Sequence, residues 1–280
     1  MTTSANTGFR RDITTPAERL PSGSCDCHMH ILGPYAEYPL RETRTYSPGE
    51  SLLSDYQRMT AIVGIDRMVI VQPSSYAMDN RCTLAAVASA KGKARCVVVV
   101  PPDTDASDLR AMHEHGARGV RIQSLGKGGL SLDAFEAIAD RIKDLGWHIQ
   151  VFLDASQLPA LADRFRRSPV DIVFDHMGQI DAGYGMDTPG FKILLELLSS
   201  GKAWVKLSNA LFPPSAERAR SLYVCNPERV VWGSDWPHLA YLTQAPDDGA
   251  LATAVLNWFP DGATRRRVLV DNPTRLYFRD

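Results

Sequence analysis

Short apolar segments alternate with helical segments along nearly the whole chain, and this alternation restricts the fold more than any other feature. Each apolar segment is rich in β-branched residues and ends at a glycine, a proline or a polar residue, which is typical of a buried strand. Strands are predicted at 23–30, 66–72, 95–100, 118–123, 147–153, 170–175, 203–207 and 229–233. Helices are predicted between them at 51–64, 79–91, 106–115, 132–145, 157–167, 191–200 and 216–225, and again from 248 to the end.

Strands that alternate with helices are expected to pair in parallel, because each helix carries the chain back to the start of the sheet. Eight strand–helix units in 280 residues predict an α/β fold with a single domain, a (β/α)8 or TIM barrel over residues 21–280. Residues 1–20 are predicted to form a flexible tail. A doubly wound open sheet is the alternative, but that fold usually has a glycine-rich phosphate loop after its first strand, where this chain has His28-Met29-His30.

The composition gives no indication of a nucleic-acid or membrane partner. The net charge is −1, no apolar run is long enough to span a bilayer, and no apolar export segment follows Arg10-Arg11. The five cysteines are an odd number and include no C-x-x-C motif, so we expect reduced thiols in a cytoplasmic protein. A zinc-thiolate site at Cys25 and Cys27 is not expected, because strand parity directs them away from the neighbouring histidines.

The first predicted strand ends in the stretch Cys25-Asp26-Cys27-His28-Met29-His30. Residues two apart on a strand point to the same face, so His28 and His30 are expected to lie side by side, with Asp26 one step below them. Two adjacent imidazoles can hold a metal ion, polarise a carbonyl group, or have no function.

Further polar residues stand at the carboxyl ends of the other strands, where barrel enzymes carry out their chemistry. Each could have a purely structural role. Closure of the barrel makes strand eight the neighbour of strand one, so Asp235 is expected close to His28 and His30. A carboxylate beside imidazoles and an arginine can activate water and stabilise an oxyanion. The candidate site residues are His28, His30, Gln72, Ser74, Arg121, Lys127, His176, Asn209, Asp235 and His238.

Several of these residues fall in motifs that resemble the amidohydrolase superfamily. The motifs are Asp26-x-His28-x-His30, Phe174-Asp175-His176-Met177-Gly178 and Trp232-Gly233-Ser234-Asp235-Trp236-Pro237-His238. Within it, the chain is similar to the branch that contains 2-pyrone-4,6-dicarboxylate lactonase, 4-sulfomuconolactone hydrolase and D-galactarolactone isomerase. The likeness extends over nearly the whole chain.

The resemblance implies a role for each matching residue. Asp235 would be the general base, with His28, His30 and His176 around the lactone carbonyl. Substrate would be held by Arg121, Lys127 and Tyr46, and we expect further contacts from Gln72, Ser74, Asn209 and His238. Strand seven lacks the arginine-bearing stretch of the pyrone lactonase, and strand five offers Phe152 where that enzyme has a tyrosine.

The resemblance implies either no cofactor or one divalent metal. A single zinc ion would be held by His28, His30 and Asp235, with His176 nearby. A binuclear centre is not expected, because strand four presents Arg121 where binuclear members have a lysine, and strand five does not end in a histidine.

The expected activity is therefore hydrolysis of the ring ester of a small anionic lactone, in a monomer or homo-oligomer. The alternatives are a lactone isomerase, a metal-dependent decarboxylase of the same superfamily and a catalytically silent binding barrel. The isomerase has a replacement at the first histidine of the pair, whereas this chain keeps His28, which favours hydrolysis.

Overall fold

The fold is known from a computed structural model. It describes residues 8–42, 44, 47–124, 129–179, 185–208, 215–241 and 245–279.

The described residues form one sheet of eight parallel strands, in which the strands follow each other in sequence order from β1 to β8. The strands are β1 Cys25–Met29, β2 Arg67–Val71, β3 Ala94–Val98, β4 Ala117–Gln123, β5 His148–Phe152, β6 Ile172–Phe174, β7 Ala203–Leu207 and β8 Val230–Trp232. A parallel bridge between Met29 and Trp236 connects the first strand to the residues after the last, and the His30 amide donates to the Trp236 carbonyl at 2.8 Å. The predicted single-domain (β/α)8 barrel is confirmed.

Helices connect successive strands and cover the outside of the barrel, as predicted. The α-helices span Leu53–Val63, Arg81–Ser89, Ala106–Glu114, Phe135–Ile142, Leu158–Arg166, Pro189–Ser199, Ser215–Cys225, Asp248–Trp258, Gly262–Arg266 and Asn272–Tyr277. Single 3-10 turns lie at Ser74–Tyr76, Leu132–Ala134, Lys143–Leu145 and Ala155–Gln157, and a π-helical turn lies at Arg267–Asp271. After β6, residues 176–179 form a tight turn in which Met177 and Gly178 have left-handed backbone angles.

Two apolar clusters stabilise this arrangement. The larger cluster lies between the strands and the surrounding helices. The smaller one fills the barrel interior, where Cys25 and Cys27 of β1 pack with Val173, Trp204 and Val231 of other strands. Because these residues are nearly or fully buried, the lower half of the barrel is a packed core rather than a channel.

A β-bulge in β1 makes one sequence prediction wrong. Asp26 pairs with Met68 of β2, but the next pairing joins Met29 to Ile70, so β1 has one residue more than β2 over this interval. The extra residue reverses the alternation of side chains. Cys27 and His28 therefore both belong to the barrel interior, and Asp26 does not lie below the histidines.

Asp26 instead lies on the outer side of β1. Its carboxylate accepts hydrogen bonds from the Tyr56 hydroxyl, the Ser234 hydroxyl and amide, and the His28 amide. Burial raises the pKa of Asp26 to about 6, although these donors act in the opposite direction. The residue thus connects β1, the helix Leu53–Val63 and the loop after β8.

The described part of the N-terminal segment contacts the barrel. The ring of Phe9 lies 4.9 Å from that of Trp236, and the Thr14 hydroxyl donates to Asp247 at 2.6 Å. Its predicted flexibility stays a prediction. No helix among the described residues is long and apolar enough to cross a membrane, and all five cysteines are free thiols.

Candidate active site

Three segments at the carboxyl end of the barrel bring the predicted catalytic residues together. The Asp235 amide donates to the His28 carbonyl at 2.8 Å, which fixes the loop after β8 against β1. A Cβ on Gly233 would lie 2.6 Å from the His28 Cβ, so only glycine leaves room for this approach. Asp235 and His176 have φ values of 67° and 50°, and such left-handed backbone at residues other than glycine is concentrated at functional sites.

One carboxylate oxygen, Asp235 Oδ1, faces three imidazoles. It lies 3.6 Å from His28 Nε2, 3.8 Å from His30 Nε2 and 3.8 Å from His176 Nε2. All four side chains are buried or nearly so. The structure therefore confirms the proximity that was predicted from closure of the barrel.

The opposite nitrogen of each ring determines what Nε2 can do. His30 Nδ1 lies 2.8 Å from the Val71 carbonyl oxygen, which can only accept, so Nδ1 carries the proton. His28 Nδ1 lies 3.1 Å from Asp175 Oδ1, which also favours a proton on Nδ1. Neutral His28 and His30 then direct unprotonated Nε2 atoms towards Asp235. His176 Nδ1 lies 2.8 Å from the Ser208 hydroxyl, which can donate or accept.

Burial keeps the imidazoles of His28 and His30 neutral. It lowers the pKa of His30 to about 4, helped by the positive charge of Arg121. Burial also lowers the pKa of His28 well below its usual range, although Asp175 acts in the opposite direction. The Nε2 lone pairs of His28 and His30 therefore face the Asp235 carboxylate with no hydrogen-bond donor between them. Such a set of acceptors favours a bound cation or a water molecule that donates to them.

The residues present fit a single divalent metal ion. One donor atom from each of His28, His176 and Asp235 lies within 4.8 Å of the others. His28 Nε2 is buried and has no hydrogen-bond partner among the described residues. His30, the third ligand predicted from sequence, approaches this set through its 3.8 Å contact with Asp235. Two imidazoles and a carboxylate form a donor set that zinc accepts.

A buried polar network adjoins His28 and includes the predicted site residue Arg121, but its other members, Asp175, Gln150 and Lys206, were not among the predicted site residues. Asp175 Oδ2 accepts from Arg121 Nε at 3.2 Å, from Arg121 Nη2 at 3.0 Å and from Gln150 Nε2 at 3.0 Å. Burial raises the pKa of Asp175, but the neighbouring His28, Arg121 and Lys206 outweigh burial and hold this pKa well below its usual range. The sequence did contain an indication of this network. Gln150 in β5 and Lys206 in β7 are polar residues within largely apolar strands.

Arg121 was predicted to bind a substrate carboxylate, and the structure places it in the ion pair with Asp175. Its guanidinium also lies over the Phe152 ring, 5.3 Å from the centroid. The Asp175 contacts use two of the five N–H groups of an arginine, so donors remain for a second anion. Its role towards substrate stays a prediction.

Two other predicted substrate contacts, Gln72 and His238, are held by neighbouring residues. The Gln72 amide donates to the Ala77 and Asp79 carbonyls, and its oxygen accepts from Thr83. Ser74 begins the turn Ser74–Tyr76.

His238 is buried, and its Nε2 lies 3.1 Å from Asp248 Oδ1. Burial lowers its pKa, but Asp248 outweighs burial and the net shift is upward. The structure therefore gives Gln72 and His238 connections that hold loops in place. Tyr46, Lys127 and Asn209 lie outside the described residues, so their predicted contacts with substrate stay predictions.

Comparison with known proteins agrees with this geometry. The family model described as Amidohydrolase matches residues 25–279. The 4-sulfomuconolactone hydrolase of Hydrogenophaga intermedia is 34% identical over 271 residues, which cover 92% of this chain and 89% of the relative. The D-galactarolactone isomerase of Agrobacterium fabrum is 33% identical over 276 residues, which cover 94% of each.

A solved structure has the same fold. The apo crystal structure of a protein from Agrobacterium tumefaciens has a TM-score of 0.86 at 32% sequence identity, and the match covers 95% of this chain and 99% of that chain. The extent of these matches confirms the resemblance that the sequence motifs indicated. The chain belongs to the amidohydrolase family.

Proposed function

We propose that this amidohydrolase opens the ring ester of a small anionic lactone by hydrolysis, in aromatic or sugar-acid catabolism. The observation that supports this most is the convergence of three imidazole Nε2 atoms on Asp235 Oδ1 at 3.6–3.8 Å. The relative that is a lactone hydrolase and the relative that is a lactone isomerase point to the same class of substrate.

Asp235 is the proposed general base. Its carboxylate accepts a proton from a water molecule as the water oxygen attacks the acyl carbon of the lactone. The ring C–O bond then breaks, and the proton held by Asp235 passes to the departing ring oxygen. The product is an open-chain hydroxy acid, or its keto tautomer when the ring oxygen leaves as an enolate.

His28 and His30 serve this reaction as neutral groups. Because Nδ1 of His30 donates to the Val71 carbonyl, Nε2 of the neutral ring can accept a hydrogen bond from water or bind a metal ion. When bound by His28, His176 and Asp235, a divalent ion would polarise the lactone carbonyl and lower the pKa of water. Arg121 supplies positive charge for the acid group of the substrate, through N–H groups not directed at Asp175.

Hydrolysis must be separated from two related reactions. The D-galactarolactone isomerase is about as similar to this chain as the lactone hydrolase is. The presence of His28 favours hydrolysis, because the resemblance places a different residue at that position in the isomerase. A metal-dependent decarboxylase would use the same histidines and Asp235 but would release carbon dioxide.

The test is a panel of 4-sulfomuconolactone, 2-pyrone-4,6-dicarboxylate and a sugar-acid lactone. Ring opening is followed by ultraviolet absorbance, the product is identified by NMR, and carbon dioxide is measured separately. We expect ring opening without carbon dioxide. The metal content of the purified protein and the activity after chelation show whether an ion takes part.

Replacing the base provides the matched test. Asp235→Asn should lower kcat by about 10²- to 10⁴-fold, which is the usual contribution of a general base, while circular dichroism shows a folded barrel. Asp144→Asn, at an exposed aspartate, is the control and should be unchanged. Near-normal hydrolysis by Asp235→Asn, or a ring ester moved rather than opened, would overturn the proposal.

We also infer a cytoplasmic location and a small-molecule substrate as the partner, without nucleic acid or membrane. The free thiols and the near-neutral charge support this. A homo-oligomer remains part of the proposal, and light scattering of the purified protein tests it.

A further inference from the structure

Lys206 is a fully buried lysine in the barrel interior, below the catalytic residues. Its side chain has no exposed surface, and Nζ donates to Gln150 Oε1 at 2.6 Å. Nζ also lies 3.8 Å from Asp175 Oδ1 and 5.8 Å from the centre of the Tyr277 ring. A buried ammonium group is costly unless neighbouring groups compensate its charge. The position therefore needs an explanation beyond packing.

The contacts of Lys206 form a chain that ends at His28. Because the Gln150 oxygen faces the ammonium group, the amide nitrogen of Gln150 faces Asp175 Oδ2. Asp175 Oδ2 also accepts hydrogen bonds from two N–H groups of Arg121. Oδ2 is thus fully occupied, and Oδ1 is the oxygen that remains for His28 Nδ1, 3.1 Å away.

The orientation of Asp175 fixes the orientation of His28. A carboxylate oxygen beside Nδ1 favours the tautomer that carries its proton there, and that tautomer leaves a lone pair on Nε2. Nε2 is the atom that lies 3.6 Å from Asp235 Oδ1. A change in the position of the Asp175 carboxylate would therefore alter the protonation of His28 Nε2, the atom that faces Asp235.

We propose that Lys206 is a positioning residue of this active site: through Gln150 and Asp175 it holds His28 in the tautomer whose Nε2 faces Asp235. This inference rests on the proposed lactone hydrolysis. Lys206 does not touch substrate or the reacting atoms in this arrangement.

The surroundings of Lys206 support a role in this network over a role in packing. The smaller apolar cluster of the barrel interior, which includes Cys27 and Trp204, would accept a methionine at this position. Burial lowers the pKa of Lys206 to about 8, although Asp175 and Cys27 act in the opposite direction. An apolar side chain would avoid this desolvation, so the ammonium group destabilises the fold unless its contacts compensate.

The kinetic test uses Lys206→Met, which keeps the length of the side chain and removes its charge. We expect kcat to fall by about 10- to 100-fold with KM changed less than about 3-fold, as for other residues that orient a catalytic group. The control is Lys202→Met, which removes a lysine that donates to the Ser168 carbonyl outside the network. Its kcat should stay within about 2-fold of the wild-type value.

The direct test is ¹⁵N NMR of protein labelled at histidine, as purified, with the His28 signals assigned from a His28→Asn spectrum. In the wild type, His28 should show a protonated Nδ1 and an unprotonated Nε2. In Lys206→Met, the two nitrogens should shift towards a mixture of tautomers. Because this measurement needs no substrate, it remains decisive if the wild type hydrolyses no lactone.

A double-mutant cycle tests the route. Gln150→Leu removes the amide link to Asp175 Oδ2, while Lys206 keeps its charge and its 3.8 Å contact with Asp175 Oδ1. The effects of the two changes on kcat should be less than additive. Gln150→Leu also replaces Lys206→Met if the latter fails to fold, and it should lower kcat in the same way. The proposal is overturned if His28 keeps one tautomer in the variants, or if kcat stays within 2-fold of wild type.

Discussion

His148 allows a quantitative test of how burial controls histidine charge in this barrel. The residue begins β5 and is 2% exposed, and its ring meets the edge of Tyr277 at 5.3 Å. Its Nε2 has no hydrogen-bond partner among the described residues, and a Cβ on Gly119 would lie 2.6 Å from it. Burial lowers the pKa of His148 to about 3, helped by Lys206 and opposed by Asp175.

The direction of the pH effect follows from this lowered pKa. The unfolded chain binds the proton more tightly than the folded barrel. Above pH ~6.5 His148 is neutral in both states and costs no stability, and the free energy of unfolding falls as the pH decreases from ~6.5 towards ~3. Each pH unit in that interval lowers the free energy of unfolding by about 1.4 kcal/mol. At pH ~4.5 the loss from His148 alone is about 3 kcal/mol.

The perturbation is His148→Leu, which removes the titrating group and keeps a similar volume. At pH 7.5 the change in unfolding free energy should be below about 1.5 kcal/mol. At pH 4.5 the wild type should have lost about 3 kcal/mol more than the variant, which is about 5–10 °C in Tm for a chain of this size.

The assay is thermal and urea unfolding, followed by circular dichroism at several pH values between 4.5 and 7.5. His115→Leu is the control, because His115 is exposed and should keep the wild-type dependence on pH. The other buried histidines are present in all three proteins, so their contribution cancels in the comparison. If the wild type and His148→Leu lose stability in parallel on acidification, the reasoning is refuted.

Two further substitutions test the contacts that hold β1 against β8. Gly233→Ala would place a Cβ 2.6 Å from the His28 Cβ, so we expect the free energy of unfolding to fall by about 1–3 kcal/mol and kcat to decrease. The control is Gly262→Ala, where an added Cβ meets nothing within 4 Å, and it should change neither quantity. Equal Tm values for the two variants would contradict this. Asp26→Ala leaves the buried amides of His28 and Ser234 without an acceptor and should lower stability by about 2–5 kcal/mol. Asp26→Asn keeps an acceptor for both amides and should lower Tm clearly less, so equal losses in the two variants would show that these hydrogen bonds matter little.

Much of the fold could be predicted from local patterns. Apolar, β-branched segments such as Ala203–Leu207 form strands wherever they are buried on both faces, and eight of them with intervening helices close into a barrel. Closure is also why Asp235, far from His28 in sequence, could be predicted to lie beside it. The inward position of Arg121 followed from the alternation of glycine and polar residues in β4.

The bulge in β1 could not be predicted in this way. Strict alternation puts Asp26 on the same face as His28, and only the pairing with β2 reveals the extra residue. The partners of Asp26 are the hydroxyls of Tyr56 and Ser234, which come from other parts of the chain.

The sequence by itself determined the barrel, the family and the residues that meet at the candidate site, because strand periodicity and motif spacing are local properties of the chain. Only the tertiary structure decided which nitrogen of His30 carries a proton, that Arg121 is paired with Asp175, and that Lys206 lies below the site. Those properties depend on contacts between distant strands and on burial, and both exist only after the barrel has closed.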